Sequence, residues 1–283
     1  ARWPERDKYS VLVVSLDHGI RSQSRMEAQR VVSRAAVLGL DAVWESRQPP
    51  VLDKKGEVDL RKWRYERLWH LAKTHHLGCL VLAQHQDDEA ESHLMNLFGV
   101  GGGREGASMG PETAFEQGMI LRPFLALSKN QLGLALTALG LSQFAAKDQL
   151  DEENQNWRAF LRNEILPIFN NIHPKSSARL AKRGIRQKET HELLIRQAVE
   201  NICFLDAGTI AIHLNDQPVI LLRLAIEEAL RTLAPQTDFR GNRATLDIVL
   251  EAASHNPQKN KRFYSFSGVE AVLDEQRILL QRR

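Results

Sequence analysis

Cysteine is scarce: the 283-residue chain holds two, Cys79 and Cys203, far apart and neither in a C-x-x-C pair. That argues against a disulfide framework, a zinc ribbon or a cysteine-ligated iron–sulfur cluster, and for a reducing compartment. Long apolar runs are missing as well. Stretches such as Val11 to Leu16 and Val219 to Leu222 fall far short of the roughly 18 residues of a membrane span. No charged-then-apolar leader opens the chain, so a cytoplasmic protein with no membrane partner is expected. There is no internal repeat and no low-complexity tract. Charge of one sign is nearly balanced, at net +3, which by itself is weak evidence of an anionic partner. What is present is 43% hydrophobic and 26% charged residues, the composition of a folded globular chain rather than a collagen-like or disordered one. At roughly 150 residues per domain there is room for two modest domains or one large one.

Along the chain, Val11 to Asp17 is a short β-branched run of the kind that forms a parallel strand buried on both faces, ending in polar Asp17, His18 and Gly19. Ala28, Val31, Val32, Ala35 and Leu38 then recur at helical spacing up to Gly39. A short strand at Val43 and Trp44 follows, then a polar loop with Pro49 and Pro50, a helix with Tyr65, Leu68, Trp69 and Ala72 on one face, and a buried strand from Cys79 to Gln84. A helix is expected to start near Asp87, with Ala90, Leu94 and Leu97 behind it. The alternation predicts an α/β doubly wound parallel sheet. Gly99 to Gly103 and Gly106 to Gly118 read as a flexible loop region, Ile120 to Leu125 as strand and turn, and Lys129 to Leu139 as a closing helix.

From about Asp151 the pattern becomes helical, Asn154 to Phe169 interrupted at Pro167 and then Ser176 to Val199. Between Lys175 and Lys188 every charged residue is basic: Lys175, Arg179, Lys182, Arg183, Arg186 and Lys188. They read either as a solvated helix face or as phosphate contacts. Beyond lie a strand at Ile210 to Leu214, amphipathic helices at Leu221 to Leu233 and Ala244 to Ala253, and two short strands near Val269 and Ile278, a small α+β module. The expected division is 1–145 as catalytic domain, 146–200 as a helical linker, and 201–283 as the α+β domain.

The chemistry concentrates in Gln84-His85-Gln86-Asp87-Asp88-Glu89-Ala90-Glu91. An imidazole and several carboxylates stand at the carboxyl end of an expected parallel strand, where open α/β sheets bind ligands. Asp88 and Glu91 are three apart and share a helix face, with Asp87 to one side. Such carboxylates suit magnesium carrying substrate phosphates, making Asp87 and Asp88 the candidate metal ligands. A plain N-cap with acidic first-turn residues explains Asp87 and Glu89, but not His85. Asp17-His18-Gly19-Ile20-Arg21, with Ser24 and Glu27, is a second polar cluster at a strand end. Alone it reads as a turn.

The ordered set Leu16-Asp-His-Gly-Ile-Arg21 with Ser24 and Glu27, Arg64-Tyr65, His85-x-Asp87-Asp88-x-x-Glu91, Met109, Arg122-Pro123, Ser128, Asp148, and Arg158-x-x-x-Arg162 before Leu166-Pro167 strongly resembles the tRNA(Ile)-lysidine synthetase family. The resemblance runs from about Val11 to Leu194. It implies an N-type ATP pyrophosphatase, Rossmann-like catalytic domain followed by tRNA-binding domains. It also implies an ATP-dependent carbon–nitrogen ligase: ATP adenylates O2 of the wobble cytidine in the CAU anticodon of tRNA(Ile), and the ε-amine of L-lysine then attacks C2 and expels AMP. A carboxylate near that amine holds it and accepts its proton. Asp87, Asp88 and Glu91 take the catalytic roles collectively, while Asp17, His18, Arg64, His85 and Arg122 are the expected ATP contacts, with Mg2+ as cofactor. Arg158, Arg162, Lys175, Arg179, Lys182, Arg183 and Arg186 are the expected tRNA contacts. Trp157, Arg158 and Arg162 fall near the expected domain junction and are placed to meet an unstacked base, although an aromatic there is more often core. Oligomeric state is left open, with a homodimer among the options.

There are departures from the family. Its S-G-G-x-D-S phosphate loop, whose backbone N–H groups cradle pyrophosphate, does not occur in these residues. The resemblance places it upstream of Asp17, so an N-terminally incomplete chain or a misassigned start is expected, with a non-catalytic tRNA-binding fragment as the alternative function. Gly101 to Gly103 follow a helix and precede no Lys-Ser/Thr, so they are no substitute. Gly99-Val-Gly-Gly102 stands where many relatives carry R-G-S-G, and Asp151 and Ala159 replace asparagines. Cytidine thiolation on the same fold ranks last, because Cys79 and Cys203 cannot supply a cluster.

Overall fold

A computed structural model of the chain describes residues 8–19, 24–47, 57–100, 108–115, 117–142, 157–214, 217–234, 243–254, 262–266, 268–274 and 276–283. The loop with Pro49 and Pro50, the triplet Gly101 to Gly103, and Arg21, Asp148 and Asp151 lie outside the described residues. The chain divides into two compact units, 1–88 with 109–145, and 89–108 with 146–283.

The first unit alternates strand and helix: β1 (Leu12–Asp17), α1 (Ser24–Val37), β2 (Asp41–Ser46), α2 (Glu57–Thr74), β3 (Cys79–Val81), the start of α3 (Gln86–Leu97), β4 (Glu112–Phe115), β5 (Gly118–Leu121) and α4 (Lys129–Ala138). Strand β1 pairs with β2 in parallel and β3 with β5 in parallel, while β4 runs antiparallel to β5. Among the described residues these strands form two hydrogen-bonded groups, β1-β2 and β3-β5-β4. The parallel α/β architecture matches the expectation, with three corrections of detail. Strand β1 is half-buried along its length apart from buried Asp17, and among the described residues it pairs with β2 alone. Strand β3 is three residues long with only Leu80 buried, since the chain leaves the sheet before Gln84. The expected loop from Gly106 to Gly118 contains β4, which adds to the β5 edge. Leu80, Ala72 and Ile120 make a local core with Tyr65, Leu68 and Trp69 from α2.

The second unit takes the rest of α3, then α5 (Trp157–Phe160), a π-helical turn (Leu161–Ile165), α6 (Leu166–Ile172), α7 (Ser176–Val199), β6 (Ile202–Phe204), β7 (Thr209–His213), α8 (Val219–Leu233), α9 (Arg243–Ser254), β8 (Arg262–Phe266), β9 (Val269–Leu273) and β10 (Arg277–Arg282). Pro167 is the second residue of α6, directly after the π-helical turn, and the helical run continues through it rather than being interrupted there. The β-strands form one antiparallel sheet in the order β6-β7-β10-β9-β8, larger than the sequence suggested. Inward residues alternate, Val269, Ala271 and Leu273 on β9 and Ile278 and Leu280 on β10. They meet Leu222, Ala225, Ile226, Ala229, Leu230 and Leu233 of α8 and Leu246, Val249 and Leu250 of α9. Each fully buried Leu or Ile here contributes about 1.5–3 kcal/mol relative to exposure. A second core joins Ala90 and Leu94 of α3 to Leu161, Leu166 and Ala181.

Candidate functional site

The carboxyl ends of the parallel strands carry the polar residues. At the β1-β2 end, register sets Asp17 opposite Ser46. Asp17 is 5% exposed and accepts hydrogen bonds from the Gly19 N–H at 2.8 Å, the Ser24 hydroxyl at 2.5 Å and the Ser46 hydroxyl at 2.8 Å. Burial alone would raise its pKa. The Ser24, Gly19 and Ser46 bonds and nearby His18 outweigh that, and the carboxyl is held below its ordinary value.

His18 is half-buried, and its ring lies edge-on to Trp63 at 5.2 Å between centroids. The Arg47 guanidinium sits 5.9 Å from the same indole. Burial first, then the positive charges of Arg64 and Arg47, push the imidazole below its ordinary pKa, against the opposing pull of Asp17. Its Nδ1 is enclosed and has no hydrogen-bond partner. A neutral imidazole beside two guanidinium groups is a place where an anion relieves repulsion. Sequence reading brought Asp17, His18 and Arg64 forward but missed Arg47, Ser46 and Trp63, whose roles follow only from the β1-β2 register and from the placement of α2.

At the β3-β5 end stands the acidic group. The His85 N–H donates to Asp88 Oδ2 at 2.9 Å, which closes the start of α3. Asp87 Oδ2 accepts the Lys129 N–H at 2.8 Å, at the first turn of α4, whose cap is a reciprocal Ser128–Gln131 capping box. The His85 Nδ1 lies 3.5 Å from Asp88 Oδ2 and 3.8 Å from Asp87 Oδ2 and makes no hydrogen bond. His85, Asp87 and Asp88 are thus brought together as the spacing suggested.

Arg122 follows β5 and is 5% exposed. It donates to Gln84 Oε1 at 2.6 Å, to Thr113 Oγ1 at 2.9 Å, and to the Met109 and Gly110 carbonyls at 3.1 and 3.2 Å. It is an internal tie that fastens the segment before β4 to the strand ends, and its positive charge is buried beside Gln84. Among the described residues no three His, Cys, Asp or Glu side chains converge into a metal cage. Two neighbouring carboxylates are nevertheless the usual protein share for Mg2+ held jointly with substrate phosphates, so Asp87 and Asp88 fit that ion on those terms.

In the second unit Glu91 is fully buried. Arg162, inside the π-helical turn, donates to it through Nε at 2.7 Å and Nη2 at 3.0 Å. Glu89 is also fully buried and accepts the Ser108 hydroxyl. Neither burial was foreseen, because an acidic helix start reads as solvent-facing. Lys175, just before α7, and Arg179, Lys182, Arg183 and Arg186 along it are all exposed. At about 100° per residue they fall on one stripe, opposite buried Ser177, Ala181 and Gly184. Arg179 also contacts the His173 ring. The stripe is charged and outward, which both readings of the basic run require.

The PP-loop domain model matches residues 1–169. Curated relatives are tRNA(Ile)-lysidine synthases: that of Enterococcus faecalis is 25% identical over 194 residues, covering 68% of this chain and 41% of that protein. The Chlamydia pneumoniae protein is 29% identical, covering 67% and 59%, and that of a Bradyrhizobium species is 30% identical, covering 70% and 55%. The chain spans about half the length of these relatives. Among solved structures, the U34-tRNA thiolase of Methanococcus maripaludis, described with its [4Fe-4S] cluster, superposes with a TM-score of 0.52 at 15% identity, covering 63% of this chain and 61% of that one. That likeness concerns the fold.

Proposed function

The chain belongs to the PP-loop family, and from that premise we propose that it acts as a tRNA(Ile)-lysidine synthase. The observation that carries this reading is the His85, Asp87 and Asp88 group at the carboxyl end of β3, the ligand end of a parallel sheet. The similarity to lysidine synthases supports it.

In the first step the wobble cytidine O2 attacks the α-phosphorus of ATP and pyrophosphate leaves. Charge builds on the leaving oxygens, and catalysis is mainly positioning plus electrostatics. Arg64 and Arg47 supply positive potential beside His18, and Arg122 supplies a buried charge beside Gln84. When bound, Mg2+ at Asp87 and Asp88 would neutralise phosphate charge. In the second step the lysine ε-amine attacks C2, the C–O bond to AMP breaks, and the amine loses a proton. A carboxylate of the Asp87, Asp88 and Glu91 group binds the ammonium and takes that proton. Glu91 already shares its charge with Arg162, which leaves Asp87 and Asp88 as the better-placed acceptors. The α7 stripe, with Arg158, is the proposed tRNA face, whereas Arg162, expected from sequence to join it, is turned inward to buried Glu91.

The test is ATP-dependent transfer of labelled L-lysine to a tRNA(Ile) transcript with a CAU anticodon, for this chain and for a version extended upstream by a strand and an S-G-G-x-D-S loop. Transfer by either, abolished by Asp88→Asn, supports the reading. Absence from both, with intact tRNA binding, makes the chain a tRNA-binding protein without the ligase activity.

A further inference from the structure

Residues Trp157 to Ile172 form a continuous helical run through α5, the π-helical turn and α6. Its inner side is built by Ala159, Leu161 and Leu166, all nearly closed to solvent. Leu161 and Leu166 join Ala90, Leu94 and Ala181 in one core. Two aromatic side chains of the same first turn stay outside that core: Trp157 is 54% exposed and Phe160 47%. A single exposed aromatic needs no explanation. Two that touch each other while both face solvent form a shaped surface.

Their ring centroids are 6.0 Å apart and their planes stand at 81°. In that arrangement the edge of one ring meets the face of the other, so the pair forms two walls of a right-angled corner. A flat aromatic body laid on one wall meets the other edge-on. Aliphatic side chains of a protein partner have no need of such walls, and the basic character of this unit favours a different occupant. Arg158 lies between the two aromatics in sequence. The exposed cations Lys175, Arg179, Lys182, Arg183 and Arg186 line α7 in the same unit, and α7 packs on α6. A planar, π-faced body carried on a polyanion is an unpaired nucleotide of RNA, which such proteins recognise by stacking on aromatic and guanidinium planes.

We propose that Trp157 and Phe160 form a stacking platform for one unpaired RNA nucleotide, with the α7 stripe holding phosphates of the same strand. The proposal rests on the tRNA reading above and gives it a specific contact for a single-stranded base. The division of labour is clear: the platform distinguishes unpaired from paired RNA, and the stripe supplies affinity that any phosphate backbone satisfies.

The experiment uses the full chain as wild type, Trp157→Ala with Phe160→Ala, and Trp157→Phe. Fluorescence anisotropy measures binding of a short unstructured RNA and of a duplex of equal length across a salt series. The platform predicts that the double variant binds the single strand about 5- to 100-fold more weakly, while its duplex affinity and salt slope stay as in wild type. Trp157→Phe keeps a stacking face and retains most of the affinity. Intrinsic fluorescence gives a second readout that does not depend on the alanine variant folding: single-stranded RNA quenches wild type, and Trp157→Phe loses that quench. Unchanged single-strand affinity in the double variant, with wild-type binding steeply salt-dependent, overturns the platform and leaves the tRNA reading standing. A wild type that binds neither RNA overturns both. Dimeric wild type and monomeric double variant with equal RNA affinity assign the corner to a second copy and overturn the proposal.

Discussion

Arg162 grips Glu91 with two hydrogen bonds, 2.7 and 3.0 Å long, across 71 residues of sequence. Glu91 is fully buried, so its charge has that guanidinium as a counterion in place of water. The π-helical turn that carries Arg162 is a local irregularity of the kind found at functional sites. Removing one member leaves a buried, uncompensated charge, which costs about 3–5 kcal/mol. Arg162→Ala is therefore expected to lower the thermal midpoint by several degrees, and Glu91→Gln by less, because the amide keeps the shape without the charge. Differential scanning calorimetry of both variants checks the order. Equal, negligible shifts would show that the pair is not holding α3 to the π-helical turn.

Asp17 is the acceptor for three donors at the end of β1. Asp17→Asn turns an amide group toward hydroxyl and N–H donors and should cost about 1–3 kcal/mol. Ser46→Ala removes one bond and should cost about 1 kcal/mol. Urea unfolding measures both. Because the native carboxyl titrates below its unfolded value, its contribution is present above the unfolded pKa and disappears as pH falls through the native one.

His18 and His93 bear on the acid limb from the other charge sign. Both are held below the ordinary value of 6.5, first by burial and then by arginine charge, Arg64 and Arg47 at His18 and Arg183 at His93. Such a histidine stabilises the fold above its unfolded pKa and loses that contribution as pH falls through the lower native value. Stability should therefore decline from about pH 6.5 downward, and NMR titration of the two rings should give midpoints below that of an exposed histidine. A midpoint at or above the free value for His18 would mean that neither burial nor the guanidinium groups act on the ring as described.

Gly184 marks where α7 approaches α3. A Cβ there would lie 2.7 Å from Glu89 Oε1 and 3.2 and 3.3 Å from His93 Cβ and Cγ. Glu89 is buried and bonded to Ser108, so it has little freedom to yield. Gly184→Ala is expected to cost about 1–3 kcal/mol by overpacking, whereas Gly133→Ala in α4, with open space around it, should be stabilising or neutral. Thermal melts of the pair compare the two sites.

Much of this was legible in sequence and the reasons are local. Helix α7 runs over Ser176–Val199 as its periodicity predicted, and the His85, Asp87 and Asp88 group forms because all three lie within one helix start. Strand β4 was hidden in a glycine-rich stretch, since Glu112–Phe115 is a strand only by pairing with β5. Strands β6 and β8 likewise depend on neighbours in the β6-β7-β10-β9-β8 sheet. The burial of Glu91 and the internal use of Arg122 could not be read at all, because partners 71 and 38 residues away leave no periodic trace. For Trp157 the sequence left two readings, an aromatic facing an unstacked base or a core residue, and tertiary packing turns it outward.

Salt dependence separates the α7 stripe from the rest of the surface. Each cation that contacts a phosphate contributes about 0.7–0.9 to the slope of log affinity against log salt. Lys182→Gln with Arg186→Gln should reduce the slope for tRNA by about 1.5, while Lys62→Gln, at an exposed position of α2, serves as the control. An unchanged slope would return the stripe to a solvated helix face.

The most direct measurement is the wobble nucleoside itself. A tRNA(Ile) transcript with a CAU anticodon is incubated with the protein, ATP, magnesium and L-lysine, then digested to nucleosides and analysed by mass spectrometry. The account predicts that the wobble cytidine is replaced by its lysine adduct, formed with loss of water, in reactions that also yield AMP and pyrophosphate. A bound tRNA whose wobble position remains cytidine, for both this chain and its loop-extended version, would contradict it.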